Sequence, residues 1–124
     1  MNGVAKPEDA IRAAAIALDQ NDGRPVIGTD IEGTIVYWNN AATSTYGWPA
    51  PEVVGRNILS VTPNYTSADE AAQVMEHLRR GETWSGPFLM QRRDGSPILG
   101  RVTDYPVMRR GQVIGVVGIT EIDG

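Results

Sequence analysis

The side chains that could do chemistry in this sequence are few. It has no cysteine and a single histidine, His77. That excludes disulfides, thiolate nucleophiles, zinc–sulfur sites and metal sites built from several imidazoles. Acid–base work would fall to carboxylates. Asp104 beside Tyr105 is the pairing that could move a proton on an apolar substrate, but neighbours on a strand point to opposite faces. Glu121 is as isolated in sequence as Asp104, and general acid–base catalysis needs a positioned partner. Arg79-Arg80, Arg92-Arg93 and Arg109-Arg110 each lie beside a turn signal and read as solvated charge. No enzyme activity is expected from this set. A small α+β enzyme performing proton transfer in an apolar pocket is the alternative.

The rest of the composition points the same way. The chain has 124 residues, 41% hydrophobic and 21% charged, with a formal net charge of −4. That length suits one domain with a real core, and the charge offers no basic face for nucleic acid. No apolar run approaches the ~20 residues that cross a bilayer, and the first residues lack a signal-peptide pattern. The expectation is a cytoplasmic protein with no membrane span.

The elements that must position any site follow from periodicity. Residues 7–20 read as a helix: Pro7 suits its first turn, Glu8 and Asp9 face its positive end, and Ile11, Ala14, Ala15 and Leu18 recur on one apolar face. Residues 26–31 and 34–38 read as strands joined by a tight turn in which Gly33 takes positive φ. Asn39 or Asn40 caps a helix over 41–46 that Gly47 ends. Pro49 and Pro51 open a short helical segment closed by Gly55. Ser67 and Glu70 match a capping box for a longer helix over 68–80, with Ala71, Val74, Met75 and Leu78 as its stripe. Strands follow over 84–92, 96–108 and 113–122, the first two joined at Asp94-Gly95. This order predicts an α+β fold: a five-stranded antiparallel sheet with helices on one face, preceded by an amino-terminal helix. Residues 1–25 form that helix and its linker, and residues 26–124 the domain proper.

Four stretches in this order, TDIEGTIVYWNNAA, YGWPAPEVVGRN, LRRGETWSGPFLMQRRDGS and YPVMRRGQVIGVVGI, resemble a PAS domain, the sensory module of bacterial signalling proteins. The resemblance implies architectural roles for Asp30, Gly33, Asn39, Ala42, Tyr46, Gly47, Gly55, Trp84, Gly86, Asp94 and Gly95. It also implies what could be bound. Blue-light flavin members carry a reactive cysteine after the asparagine that matches Asn57; here that residue is Ile58. They orient the flavin with polar side chains where this chain has Met90, Gly100 and Thr120. Haem members ligate iron through a histidine on the long helix, and His77 lies on it, later than the usual ligand position. No cofactor is therefore expected; a haem- or flavin-binding redox sensor is the alternative.

What remains is an apolar pocket. Alternation groups Phe88 with Met90, Gly100 with Val102, and Gly118 with Thr120, and the resemblance puts these on the inner face. Ile58, Val74, Met75 and Leu78 would lie opposite. A small apolar ligand, oriented by few polar groups such as Thr120, or a filled core are the two readings. The expected function is a sensory domain that binds such a ligand or acts as an interaction module. The alanine-rich face of Ile11, Ala14, Ala15 and Leu18 is expected to pair with a second copy, burying ~800 Å² on each partner, although a monomer could bury it on its own sheet. Related modules often end in an Asp-Ile-Thr type junction to an effector, which Thr120-Glu121-Ile122-Asp123 does not reproduce. The chain is expected to be a fragment of a larger sensor that acts through an effector domain or partner protein.

Overall fold

The computed structural model describes residues 6–64 and 66–122. Helix α1 (Pro7–Leu18) leads into strands β1 (Val26–Asp30) and β2 (Ile35–Trp38). Between them the Asp30 carboxylate accepts the N–H groups of Glu32 and Thr34, both at 2.9 Å, and Gly33 takes φ +91°. Asn39 caps α2 (Asn40–Tyr46) by accepting the Ala42 N–H at 2.9 Å. Two single-turn helices follow, α3 (Ala50–Val53) and α4 (Ile58–Val61). Helix α4 has no counterpart in the sequence reading, because four residues are too few to show a helical period. Helix α5 (Ala68–Arg79) begins at Ser67, whose hydroxyl accepts the Glu70 N–H at 3.1 Å and donates to the Glu70 carboxylate at 3.0 Å. Strands β3 (Trp84–Gln91), β4 (Pro97–Arg109) and β5 (Gln112–Ile122) complete the described chain. No helix among the described residues is long and apolar enough to cross a membrane.

The five strands form one antiparallel sheet in the order β2-β1-β5-β4-β3. Alternation sorts its side chains onto two faces. One face carries Val102 and Met90, which pack with Ile35, Trp38, Tyr46, Val53 and Val61. Helices α2 to α5 share that side. The other face carries Val26, Val107, Val117 and Ile119, and α1 folds back over it. The amino-terminal helix thus covers the surface its followers leave bare, because these four outward-pointing side chains need an apolar lid.

This placement corrects the expectation for the α1 stripe. Ile11 and Ala15 are fully buried on the chain's own sheet, with Ala14 and Leu18 partly buried around them. Two glycines admit them. A Cβ on Gly115 would lie 2.4 Å from Ile11 Cδ1, and one on Gly28 would lie 3.2 Å from Ile11 Cγ2. The face expected to meet a second copy is spent within one chain.

Of the Arg92-Arg93 pair, expected to be solvated, Arg92 is partly buried, whereas Arg93 is exposed as expected and still finds partners. Arg92 donates to the Thr45 carbonyl at 3.2 Å and the Pro97 carbonyl at 3.1 Å. Arg93 stacks 4.4 Å from the centroid of the Trp48 ring and pairs with Glu52 at 3.1 Å. The β3–β4 hairpin is thereby docked onto α2 and α3.

Candidate functional site

Helix α5 stands off the sheet. Of its stripe only Leu78 is buried; Val74 and Met75 are half-buried and Ala71 is exposed. Beneath it lies a cavity of about 650 Å³. Buried Tyr46, Met90, Val102 and Thr120 floor it, and exposed Ile31, Glu32, Leu59 and Ala68 form its rim.

Nine of the ten residues expected at a pocket line this cavity: Ile58, Val74, Met75, Leu78, Phe88, Met90, Val102, Gly118 and Thr120. Gly100 does not. A Cβ there would meet Thr120 Cγ2 at 2.7 Å and Ile122 Cδ1 at 3.2 Å, so neighbouring side chains already occupy the space that glycine leaves. At Gly86, likewise, a Cβ would fall 2.6 Å from the Trp84 indole, which packs edge-on against Phe88.

The polar groups of the cavity are mostly engaged. Tyr46 donates its hydroxyl to Thr120 Oγ1 at 3.0 Å, and burial pushes its pKa up. Thr120 was expected to orient a ligand; it is tied to this buried tyrosine. Asn57 donates to the Glu32 carbonyl at 3.1 Å and accepts from the Leu59 N–H at 2.9 Å. Asp104 is the exception. Its carboxyl faces the cavity and makes no hydrogen bond or ion pair among the described residues. Burial alone pushes its pKa up to about 7, because a carboxylate removed from water without a partner is costly.

Asp104 was read as an isolated charge, and the signal that places it was available. It continues the Gly100, Val102 alternation by one more step, so it shares their face. Tyr105 points the other way, into the cluster under α1. The proton-transfer alternative asks for a buried carboxylate near a hydrogen-bond donor, and the raised pKa of a cavity-facing Asp104 is the observation that speaks for it. The carboxylate is present, and no donor bonds to it among the described residues.

His77 lies outside the cavity. Its imidazole is half-exposed and meets Glu82 at 3.0 Å, so the helix presents no ligand to a haem inside. Among the described residues no group of three or more metal-binding side chains gathers anywhere. Asp123 of the final junction lies outside the described residues.

Comparison with known proteins agrees with this architecture. A domain of a Colwellia psychrerythraea protein, solved as a PAS domain, superposes with a TM-score of 0.74 at 21% identity, covering 90% of this chain and 94% of that one. A Light-Oxygen-Voltage domain studied through a flavin analogue superposes with a TM-score of 0.72 at 22% identity, covering 90% and 85%. In sequence, phototropin-2 of Oryza sativa subsp. japonica is 30% identical over 86 residues, which are 68% of this chain and 10% of that protein. The chain therefore spans about a tenth of that relative's length. The PAS fold family model matches residues 17–121, from the last turn of α1 to the penultimate described residue of β5, and the chain belongs to that family of sensory, non-catalytic modules.

Proposed function

We propose that this chain is a ligand-binding sensory module in which the occupant of the cavity sets how α5 packs on the sheet. The observation that carries the reading is the cavity itself, about 650 Å³ beneath a helix that buries one side chain. A ligand that prefers one packing of α5 shifts the population toward it by its differential affinity alone. The shift passes to an effector domain or partner protein joined to this module. The test is native mass spectrometry of the purified chain with an absorption spectrum. Added mass on a colourless protein is expected; a cavity that stays empty and refuses every small molecule in a ligand screen overturns the reading.

A flavin held without a covalent bond is the second reading, and the Light-Oxygen-Voltage likeness favours it. The volume suffices for an isoalloxazine ring. The lining does not match a flavin nucleotide. Ile58 replaces the reactive thiol, Gly100 is shut out by Thr120 and Ile122, and the Thr120 hydroxyl bonds to Tyr46. Among the described lining residues there is no lysine or arginine to meet a phosphate, whereas Asp30, Glu32 and Asp104 are all present. A yellow protein absorbing near 450 nm would establish this reading over the first.

Pairing with a second copy, expected through α1 and the sheet, moves to the part of the sheet that α1 leaves uncovered. Leu89 and Leu99 face each other across β3 and β4 and are 42% and 63% exposed. Light scattering on Leu99→Asp is expected to give a smaller particle than the parent; an unchanged mass removes this surface from consideration.

A further inference from the structure

We propose that the cavity takes an organic cation: an apolar, ring-sized molecule bearing a protonated amine, seated with its ammonium against Asp104. The proposal rests on the reading of the chain as a ligand-binding module and names the ligand class.

The first ground is the position of the carboxyl. In register Asp104 lies between Trp84 of β3 and Gly118 of β5. A Cβ on Gly118 would sit 2.9 Å from Asp104 Oδ1, so the glycine keeps the carboxyl clear of a side chain that would bury it completely. It therefore faces the cavity with no hydrogen-bond partner among the described residues. An ionised carboxylate there is expensive unless a donor or an opposite charge arrives.

The second ground is the charge around it. The titratable groups lining the cavity are Asp30, Glu32, Asp104 and Tyr46, with no lysine, arginine or histidine among the described lining residues. Helix α5 contributes only Ala71, Val74, Met75 and Leu78 beside the small residues of its start. Strand β3 contributes Phe88 and Met90, and β5 contributes Val116, Gly118 and Thr120. Asp30 is committed to the β1–β2 turn through the Glu32 and Thr34 N–H groups. Tyr46 stays neutral and bonds to Thr120. Glu32 is exposed at the rim, where it attracts a cation on entry. An anionic ligand meets only like charge. A sugar would set its hydroxyls against valine, methionine and phenylalanine. An amine on an apolar body satisfies both halves of the lining, which includes the aromatic side chains of Phe88 and Tyr46.

The third ground is the ionisation of Asp104. Burial holds its pKa near 7, so an arriving ammonium shifts the carboxyl to its charged form and forms a charge-assisted hydrogen bond. Binding of a cation therefore strengthens as pH rises through that value.

The test uses the 124-residue chain with two probes of equal shape, 2-naphthylmethylamine and 2-naphthylmethanol, by titration calorimetry at pH 5 and pH 8. The amine is expected to bind about tenfold or more tighter than the alcohol at pH 8, with the preference lost at pH 5. Asp104→Asn is expected to bind both alike at both pH values. Glu32→Gln keeps the preference with a modest loss. A second readout needs no variant: carbon-13 NMR of the Asp104 carboxyl, whose titration midpoint falls on adding the amine and stays in place with the alcohol. Equal binding of both probes to the parent chain overturns the cation proposal and leaves the ligand-binding reading intact. A preference that survives in Asp104→Asn overturns Asp104 as the anchor. Binding of neither probe at millimolar concentration overturns the proposal and counts against the cavity as a ligand site, and a protein that purifies with flavin overturns the proposal alone.

Discussion

Helices α1 and α5 are both twelve residues long and lie on opposite faces of one sheet. They pack in opposite ways. Helix α1 sinks Ile11 and Ala15 into notches made by Gly28 and Gly115, with both side chains fully buried. Helix α5 seals one end with Leu78 and bridges a cavity with the rest of its stripe. The difference lies less in the helices than in what the strands present. Where glycine meets a β-branched knob the faces lock. Where Val102, Asp104 and Phe88 meet Val74 and Met75, the shapes do not interdigitate, and dispersion contacts are forfeited over the gap. One side of the sheet is a foundation; the other is the place where a small molecule can add stability that the chain lacks.

The sharpest way to break this comparison is to attack the locked face. Ile11→Ala removes a fully buried knob and leaves a void that rigid strands cannot close, so a loss of about 3–4 kcal/mol is expected in urea denaturation. Gly115→Ala approaches the same site from the sheet. Its new Cβ would fall 2.6 Å from the Thr29 carbonyl oxygen, which as backbone cannot turn away, and about 3 kcal/mol is expected. A loss under about 1 kcal/mol for both would mean that α1 is only loosely attached.

The sequence made the foundation more legible than the site. The α1 stripe, the Asn39 cap, the Ser67–Glu70 cap and the Asp94-Gly95 turn all follow from local chemistry, and each forms as read. The pocket was legible as a face: strand alternation grouped Phe88, Met90, Val102, Gly118 and Thr120, the helical period gave Val74, Met75 and Leu78, and the PAS resemblance supplied Ile58 and the choice of side. Three things were not. Which side of the sheet α1 would choose depends on Gly28 and Gly115, far apart in sequence and silent except as small residues. The destination of Arg93 depends on Trp48 and that of Arg92 on the Thr45 carbonyl, and no local pattern links either to a β-turn. The isolation of Asp104 is a property of its surroundings, not of its own position.

Asp104 supplies the next prediction. Its raised pKa means that the folded chain holds a proton between about pH 4 and pH 7 that the unfolded chain has released. Stability therefore falls as pH rises through that window, and the loss is complete above it. Asp104→Asn escapes the loss. Its gain over the parent is expected to grow from near zero at pH 4 to on the order of 2 kcal/mol at pH 8, less than the full shift implies because the carboxyl faces a cavity that admits water. A gain independent of pH would mean that the carboxyl ionises normally. On the helix above, Met75→Ala is expected to cost less than about 1 kcal/mol, since the side chain is only half-buried and lines the cavity instead of filling a close-packed core. A cost near that of Ile11→Ala would erase the contrast between the two faces.

The finest test asks whether the faces are coupled. The carboxyl end of α1 is clipped to β2 by Tyr37, which donates its hydroxyl to Asp19 at 2.8 Å, while Asn39 donates to the same carboxylate at 3.2 Å. Burial works to raise the Asp19 pKa, but these bonds and the Asn21 N–H hold it below the usual range. Burial, the hydrogen bond to Asp19 and its charge push Tyr37 up to about 12. Tyr37→Phe removes one charge-assisted bond at a partly exposed site, so about 1 kcal/mol is expected near neutral pH. That deficit should shrink as pH falls through the depressed Asp19 pKa, because a protonated carboxyl gains less from the lost donor. Two strands serve both faces: β1 carries Val26 and Gly28 toward α1 and Ile27 and Thr29 toward the cavity, and β5 carries Val117 toward α1 and Gly118 toward the cavity, so a loosened α1 could reach the ligand through either. The locked packing of Ile11 against both Gly28 and Gly115 keeps the two strands in place whether or not the clip is made. Tyr37→Phe is therefore expected to leave probe affinity unchanged within twofold while speeding amide exchange at the end of α1; a change in affinity beyond that would make α1 part of the sensing device and not merely its foundation.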